Sequence, residues 1–328
     1  MRTMRAGRRF TAAIAVLASV CSSQLQAQSD FPSKPVRIIL PYASGGKNDV
    51  LTRLVGEQLQ AQWGERLITE SRPGANGRLA YETVARSAPD GYTLVSAVSS
   101  LATLPYLYKK LEFDPRRELI PVTQMFQNQS SVVIDPSIPA RTVREFVAWV
   151  KANPDKPTYF GTQGQGNVVH MVFEMLNRAG GVKMSAIHYK GTADVNVALQ
   201  RGDVQASLDS LPPIARTPQG TPFRVLAVLT DQRVPEFPDV PTLMESGLFE
   251  NAPTSWVGLM APAGTPKGVV DKIARDMRTA MRNASVAEKF KAAGAVVVAS
   301  SPEEFGQKLQ SEYRLYADLV KLVGIEAQ

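Results

Sequence analysis

Residues Pro41 to Asp49 form a glycine-rich turn with Gly45 and Gly46 at its centre. It follows the apolar run Val36 to Leu40 and precedes Leu51, Leu54, Val55 and Leu59, which recur at helical spacing. A turn at a strand-to-helix junction gathers free backbone N–H groups, and the helix dipole adds partial positive charge. The chemistry this suits is the seating of a carboxylate or phosphate. A second such turn, Thr162 to Asn167, follows the strand-like Thr158 to Gly161. Asn167 stands where it can cap a helix carrying Met171, Met175 and Leu176. In open α/β sheets ligands gather beyond the C-terminal ends of parallel strands. Two turns, one in each half of the fold, could therefore close on one anion, with charge-assisted hydrogen bonds of about 1.5–3 kcal/mol each. On spacing alone, the plainer reading of two ordinary strand–helix turns stays open.

Catalytic patterns are missing. The chain has two histidines, His170 and His188, and no His-Glu-x-x-His helix for zinc. It has no Gly-x-Ser-x-Gly elbow. Asn48 follows Lys47 and no glycine stands five residues before Gly46, so the phosphate-loop pattern fails. Gly164 and Gly166 lack the third glycine of a dinucleotide fingerprint. Acidic residues are scattered rather than paired. No cofactor or metal is expected.

The first 27 residues read as a secretory signal, with Arg2, Arg5, Arg8 and Arg9, an apolar stretch from Phe10 to Val20, and a cut after Ala27. The only cysteine, Cys21, falls within it, so the mature chain has no disulfide or thiolate chemistry. Export without cysteines suits a bacterial periplasm. The net charge of +7 drops to +3 without the four signal arginines, and no basic run carries interleaved aromatics, so nucleic acid is not an expected partner. The remaining length suggests two domains of about 150 residues.

Strand-like runs alternate with amphipathic helices, which predicts α/β layers with largely parallel sheets. Tyr92 to Val98 reads as a strand whose exit is Ser99 and Ser100. Two long extended segments, Pro121 to Ile134 and Trp256 to Pro262, bracket a central α/β block. The first domain is then discontinuous: lobe 1 is 28–128 plus 252–328, lobe 2 is 129–251, and two crossover strands form a hinge.

The chain resembles the solute-binding proteins of tripartite tricarboxylate transporters, the Bug family. The resemblance rests on ordered segments along nearly the whole mature chain: Lys34 to Ile39 leading to Gly45, Gly46 and Asp49; Arg72 to Gly77; Ala88 to Leu94; His188 to Gly191; Phe237 to Thr242; Ala261 to Pro266; and Ser301 to Phe305. It implies an α/β, two-lobed periplasmic-binding-protein-like (type II) fold, a Venus flytrap that closes on a small carboxylate-bearing acid. The implied partner is a tripartite tricarboxylate-type permease, and the implied state is a monomer. The same closed lobes would serve a sensor docking on a histidine-kinase ectodomain; a secreted enzyme is a third reading.

The resemblance also implies site residues. Tyr42, Ala43, Ser44, Gly45, Gly46 and Asp49 match the loop that seats the carboxylate, with Ala43 and Ser44 in place of the usual two prolines. Asp49 is expected to accept N–H bonds and shape the loop. Thr162, Gln163, Gly166 and Asn167 match the second binding loop, and His170 a histidine one turn in, read either as a contact or as a packed helix residue. Lys190, Gly191, Thr192 and Ala193 match the next strand exit. Asp209 is read as an acceptor for the ligand's distal group or as a turn cap. Ser99 is a further contact. Lys47 is either a solvated helix-start residue or a cation facing a second ligand carboxylate.

Overall fold

The computed structural model of the protein describes residues 31–42, 44–211, 223–230, 232–249, 251–324 and 327. The expected secretory segment, 1–27, lies outside them.

The first half of the chain folds as β1 (Val36–Leu40), α1 (Lys47–Trp63), β2 (Leu67–Ser71), α2 (Arg78–Ala85), β3 (Thr93–Val98), α3 (Leu104–Leu107), α4 (Pro115–Glu118) and β4 (Leu119–Asn128). There follow β5 (Ser130–Ile134), α5 (Val143–Ala152), β6 (Thr158–Thr162), α6 (Val168–Gly180), β7 (Met184–His188), α7 (Thr192–Arg201), β8 (Ala206–Ser210) and β9 (Arg224–Val228). The chain then returns through β10 (Trp256–Pro262), α8 (Lys267–Met281), α9 (Ala284–Ala292), β11 (Ala295–Val297) and α10 (Pro302–Val323).

These strands make two sheets, ordered β11-β4-β10-β3-β1-β2 and β7-β6-β8-β5-β9. Each has its own core. β1 lies between helices on both faces, so Val36, Ile38 and Leu40 enter one apolar cluster while Ile39 enters another. Val132, Phe146, Phe160, Phe173 and Leu208 build the core of the second sheet.

The sheets are mixed rather than largely parallel. β1, β2 and β3 are parallel, as are β6, β7 and β8. β10 runs against β3 and β4, and β5 runs against β8 and β9. The crossings impose this. β4 leaves the first sheet and after Gln129 continues as β5, entering the second sheet against its neighbours; β10 makes the return journey. The crossings touch where Asn128 donates from its amide to the Ser255 carbonyl at 2.7 Å and from Nδ2 to Ser255 Oγ at 3.0 Å.

A third tie joins the lobes. α10 starts on the first sheet, with Ser301 and Glu304 in a reciprocal capping box. Its later turns pack Tyr316, Leu319 and Val320 against Met171 and Met175 of α6, and Arg178 donates to the Leu322 carbonyl at 2.6 Å.

Candidate functional site

The first glycine turn joins β1 to α1. Gly45 takes φ +88°, a conformation costly for any residue with a Cβ. Its amide donates to Asp49 Oδ2 at 2.7 Å, while Asp49 Oδ1 accepts from Arg53 Nε at 2.7 Å. Asp49 is thus buried beneath the turn and shapes it. Gly46, in extended backbone, is the N-cap of α1 and provides no side-chain cap. The first backbone bond of the helix comes only with Val50 to Gly46. Ser44 Oγ shares a hydrogen bond with Ser71 Oγ at 2.8 Å. Tyr42 OH lies 3.5 Å from Ser100 Oγ, with burial raising the phenol's pKa. Ser99 is buried beside Ser100 at the end of β3. Ala43 lies outside the described residues.

The second turn, between β6 and α6, is closed on itself. Asn167 caps α6 by accepting from the His170 amide at 2.9 Å, and its Oδ1 also accepts from Thr162 Oγ1 at 2.8 Å. Asn167 Nδ2 donates to Gln163 Oε1 at 3.3 Å. The Gly166 amide donates to His170 Nδ1 at 2.9 Å. The His170 ring stacks on Phe160 and meets His188 edge-on. Burial, with His188 adding to it, pulls its pKa down to about 4, so the neutral ring carries its proton on Nε2. Gly166 has φ +74°, and a Cβ there would lie 2.4 Å from Leu107 Cδ1. Leu107, from the first lobe, thus closes directly over this turn.

The third edge lies at the N-terminus of α7. Gly191 is its N-cap, again without a side-chain cap. Lys190, Thr192 and Ala193 are exposed around it, with Gln163 Nε2 reaching Thr192 Oγ1 at 3.5 Å. One turn further, Asn196 Nδ2 donates to Asp209 Oδ2 at 2.8 Å, and the Ser210 amide donates to Asp209 Oδ1 at 2.7 Å. Burial raises the Asp209 pKa, while the Ser210 amide, Asn196 and the Lys47 charge pull it back.

Lys47 joins the two sides. It is the first residue of α1, yet its Nζ donates to Ser210 Oγ at the end of β8. Burial draws its pKa down to about 8, against the pull of Asp209. Of the two readings left open for Lys47, the solvated helix-start residue does not describe this position. Ser210 and Asn196 escaped the sequence reasoning. Ser210 adjoins Asp209, but only the folded chain puts it opposite Lys47. Among the described residues no group of three or more His, Cys, Asp or Glu could hold a metal ion.

Lys47 thus ties the start of α1 to the end of β8 beside Asp209, and Leu107 of the first lobe lies against the Thr162–Asn167 turn. The first lobe presents donors, namely the α1 N-terminus and Lys47. The second contributes Asp209 and Ser210 as acceptors and the uncapped N-terminus of α7 as donors.

A model of the family described as tripartite tricarboxylate transporter family receptor matches residues 51–325. The fold is similar to that of the periplasmic binding protein BugD, with TM-score 0.80 and 31% identity over 91% of this chain and 100% of that one. It is also similar to Rpa4515 of R. palustris with adipate, with TM-score 0.81 and 26% identity over 91% of this chain and 100% of that one. MatC (Rpa3494) from Rhodopseudomonas palustris with bound malate gives TM-score 0.77 and 28% identity over 88% and 100%.

Proposed function

Since the chain belongs to the tripartite tricarboxylate transporter receptor family, whose members are periplasmic solute-binding proteins, we propose that it captures a small carboxylate-bearing acid in the periplasm and delivers it to a tripartite membrane permease. It works as a monomer and turns nothing over. The lobes, 28–128 with 252–328 and 129–251, close about the β4–β5 and β10 crossings, and binding energy offsets the cost of closure.

The observation that carries this reading is the N-terminus of α1, left without a side-chain cap beneath a glycine turn, with the Lys47 ammonium spanning to the opposite lobe. The ligand carboxylate takes the first-turn amides of α1 beside Ser44, with Tyr42, Ser99 and Ser100 beneath. Gln163 and Lys190 to Ala193 close the far rim. Thr162, Gly166, Asn167 and His170 keep the opposing turn in shape. Two structurally similar proteins hold acids, adipate in one and malate in the other, which supports a carboxylate here.

A thermal-shift screen over mono-, di- and tricarboxylates, amino acids and aromatic acids tests the reading. A ligand at about 100 times its dissociation constant adds about 2.7 kcal/mol. Stabilisation by sugars or cations alone would overturn it. Loss of uptake of the bound acid in a strain lacking the chain tests the permease partner.

A further inference from the structure

The carboxylate reading leaves the far end of the ligand undefined, and the second lobe bears on it. A lysine ammonium is a compact cation with three donors and no acceptor. That of Lys47 crosses from the first lobe to Ser210 Oγ. The groups around it are acceptors. Both Asp209 oxygens are oriented by N–H donors from Ser210 and Asn196, at 2.7 and 2.8 Å, and each keeps a further lone pair. The buried Oδ1 of Asn196 has no protein partner. This corner is built for N–H donors, and an ammonium is the group the structure puts there.

From the juxtaposition of Lys47 with Ser210, Asp209 and Asn196 we propose that the ligand is an amino acid. Its carboxylate takes the α1 amides, and its ammonium takes the place of Lys47 on Ser210 and reaches the neighbouring Asp209, which Asn196 orients. Lys47, released, turns back to the ligand carboxylate. The inference rests on the carboxylate reading above and narrows it.

Charge balance favours this exchange over a simple diacid. If Lys47 swings away, the half-buried Asp209 loses the positive charge that acts on it, and an uncompensated charge in such a place is costly. A second ligand carboxylate would add like-charge repulsion there, whereas an amine restores what Lys47 takes away. A diacid must either bind beside Asp209 or leave Lys47 where it is and rely on the α1 amides alone.

The test uses the purified protein and acids that differ only in the amine: aspartate against succinate, glutamate against glutarate, and β-alanine against propionate, titrated calorimetrically. A site that hydrogen-bonds an amine rejects the analogue lacking it, so the amino member of at least one pair should bind at least about tenfold more tightly. Asp209→Asn should shrink that ratio towards one, and Asn196→Ala reads the same ratio should the first variant fold poorly. Lys47→Met should weaken both members of the pair. The acid lacking the amine binding as tightly as its amino partner in all three pairs, or a ratio unmoved in the Asp209 and Asn196 variants, overturns the proposal while leaving the carboxylate reading intact. If no acid of either kind binds, the carboxylate reading itself has failed.

Discussion

The amide of Gly166 donates to Nδ1 of His170, four residues ahead on the first turn of α6. Gly45 and Asp49 repeat the relationship on α1. In each turn the side chain four residues on takes up one glycine amide and fixes the turn's curvature. The turns differ in what remains. Asn167 caps α6, whereas α1 has no side-chain cap. Two turns that look alike in sequence thus divide the work: one is internally satisfied and the other keeps its donors.

His170 makes the second turn sensitive to acid. An unfolded histidine takes up a proton below about 6.5, whereas the folded ring does so only near 4. Its contribution to stability is therefore complete above pH 6.5 and declines as pH falls through that window, by at most about 3 kcal/mol. Thermal melts from pH 7 to pH 4 should show a steeper loss in the wild type than in His170→Gln. Equal slopes would remove His170 from the account.

Gly46→Pro isolates one amide. Gly46 sits at φ −73° and ψ 160°, close to the φ that proline enforces, so the fold should tolerate the change. Losing one charge-assisted donor should weaken acid binding by roughly 10- to 100-fold, with little change in melting temperature. Unchanged affinity in calorimetry would move the site away from α1.

Much of this was legible in the chain. β1 follows from an apolar run broken only by Arg37, β10 from an unbroken one, and both glycine turns stand out against them. The start of α1 is less legible: the apolar spacing predicts a helix from Val50 to Trp63, whereas Lys47 to Asp49 already belong to it. The three-residue β11 is too short for any period, and edge pairing with β4 alone reveals it. The two crossings are legible as long extended segments, but the antiparallel pairing they impose on β10 and β5 is not. The destination of Lys47 was hidden most deeply, because Ser210 lies 163 residues away and only the apposition of two lobes brings them together.

Lys47 predicts opposing responses to alkali. Its pKa of about 8 lies below the ordinary 10.5, so between those values the unfolded chain holds more protons than the folded one. At this residue, stability of the free protein rises with pH across that window, while affinity for an acid falls as the positive charge is lost. Titrations from pH 7 to pH 10 should show affinity declining past about pH 8 in the wild type and a flatter profile in Lys47→Met. A decline of equal size in the variant would exonerate Lys47.

Gly166→Ala tests the contact between lobes. A left-handed φ costs a residue with Cβ about 1–2 kcal/mol, and the new methyl would strike Leu107. Lowered melting temperature and weaker ligand binding are both expected. Adding Leu107→Ala should recover the steric part and leave the backbone part. Strictly additive effects of the two changes would mean that Leu107 does not close over Gly166.

The path of α10 matters to anyone building a sensor from this protein. The helix is rooted beside β4, but its final turns ride on α6. A fluorophore fused at the chain's end would travel with the half it touches and report little, however well the protein grips its ligand. A label on an exposed residue of α9 paired with one on α5, each planted on a different sheet, should register the change in separation that a terminal label misses.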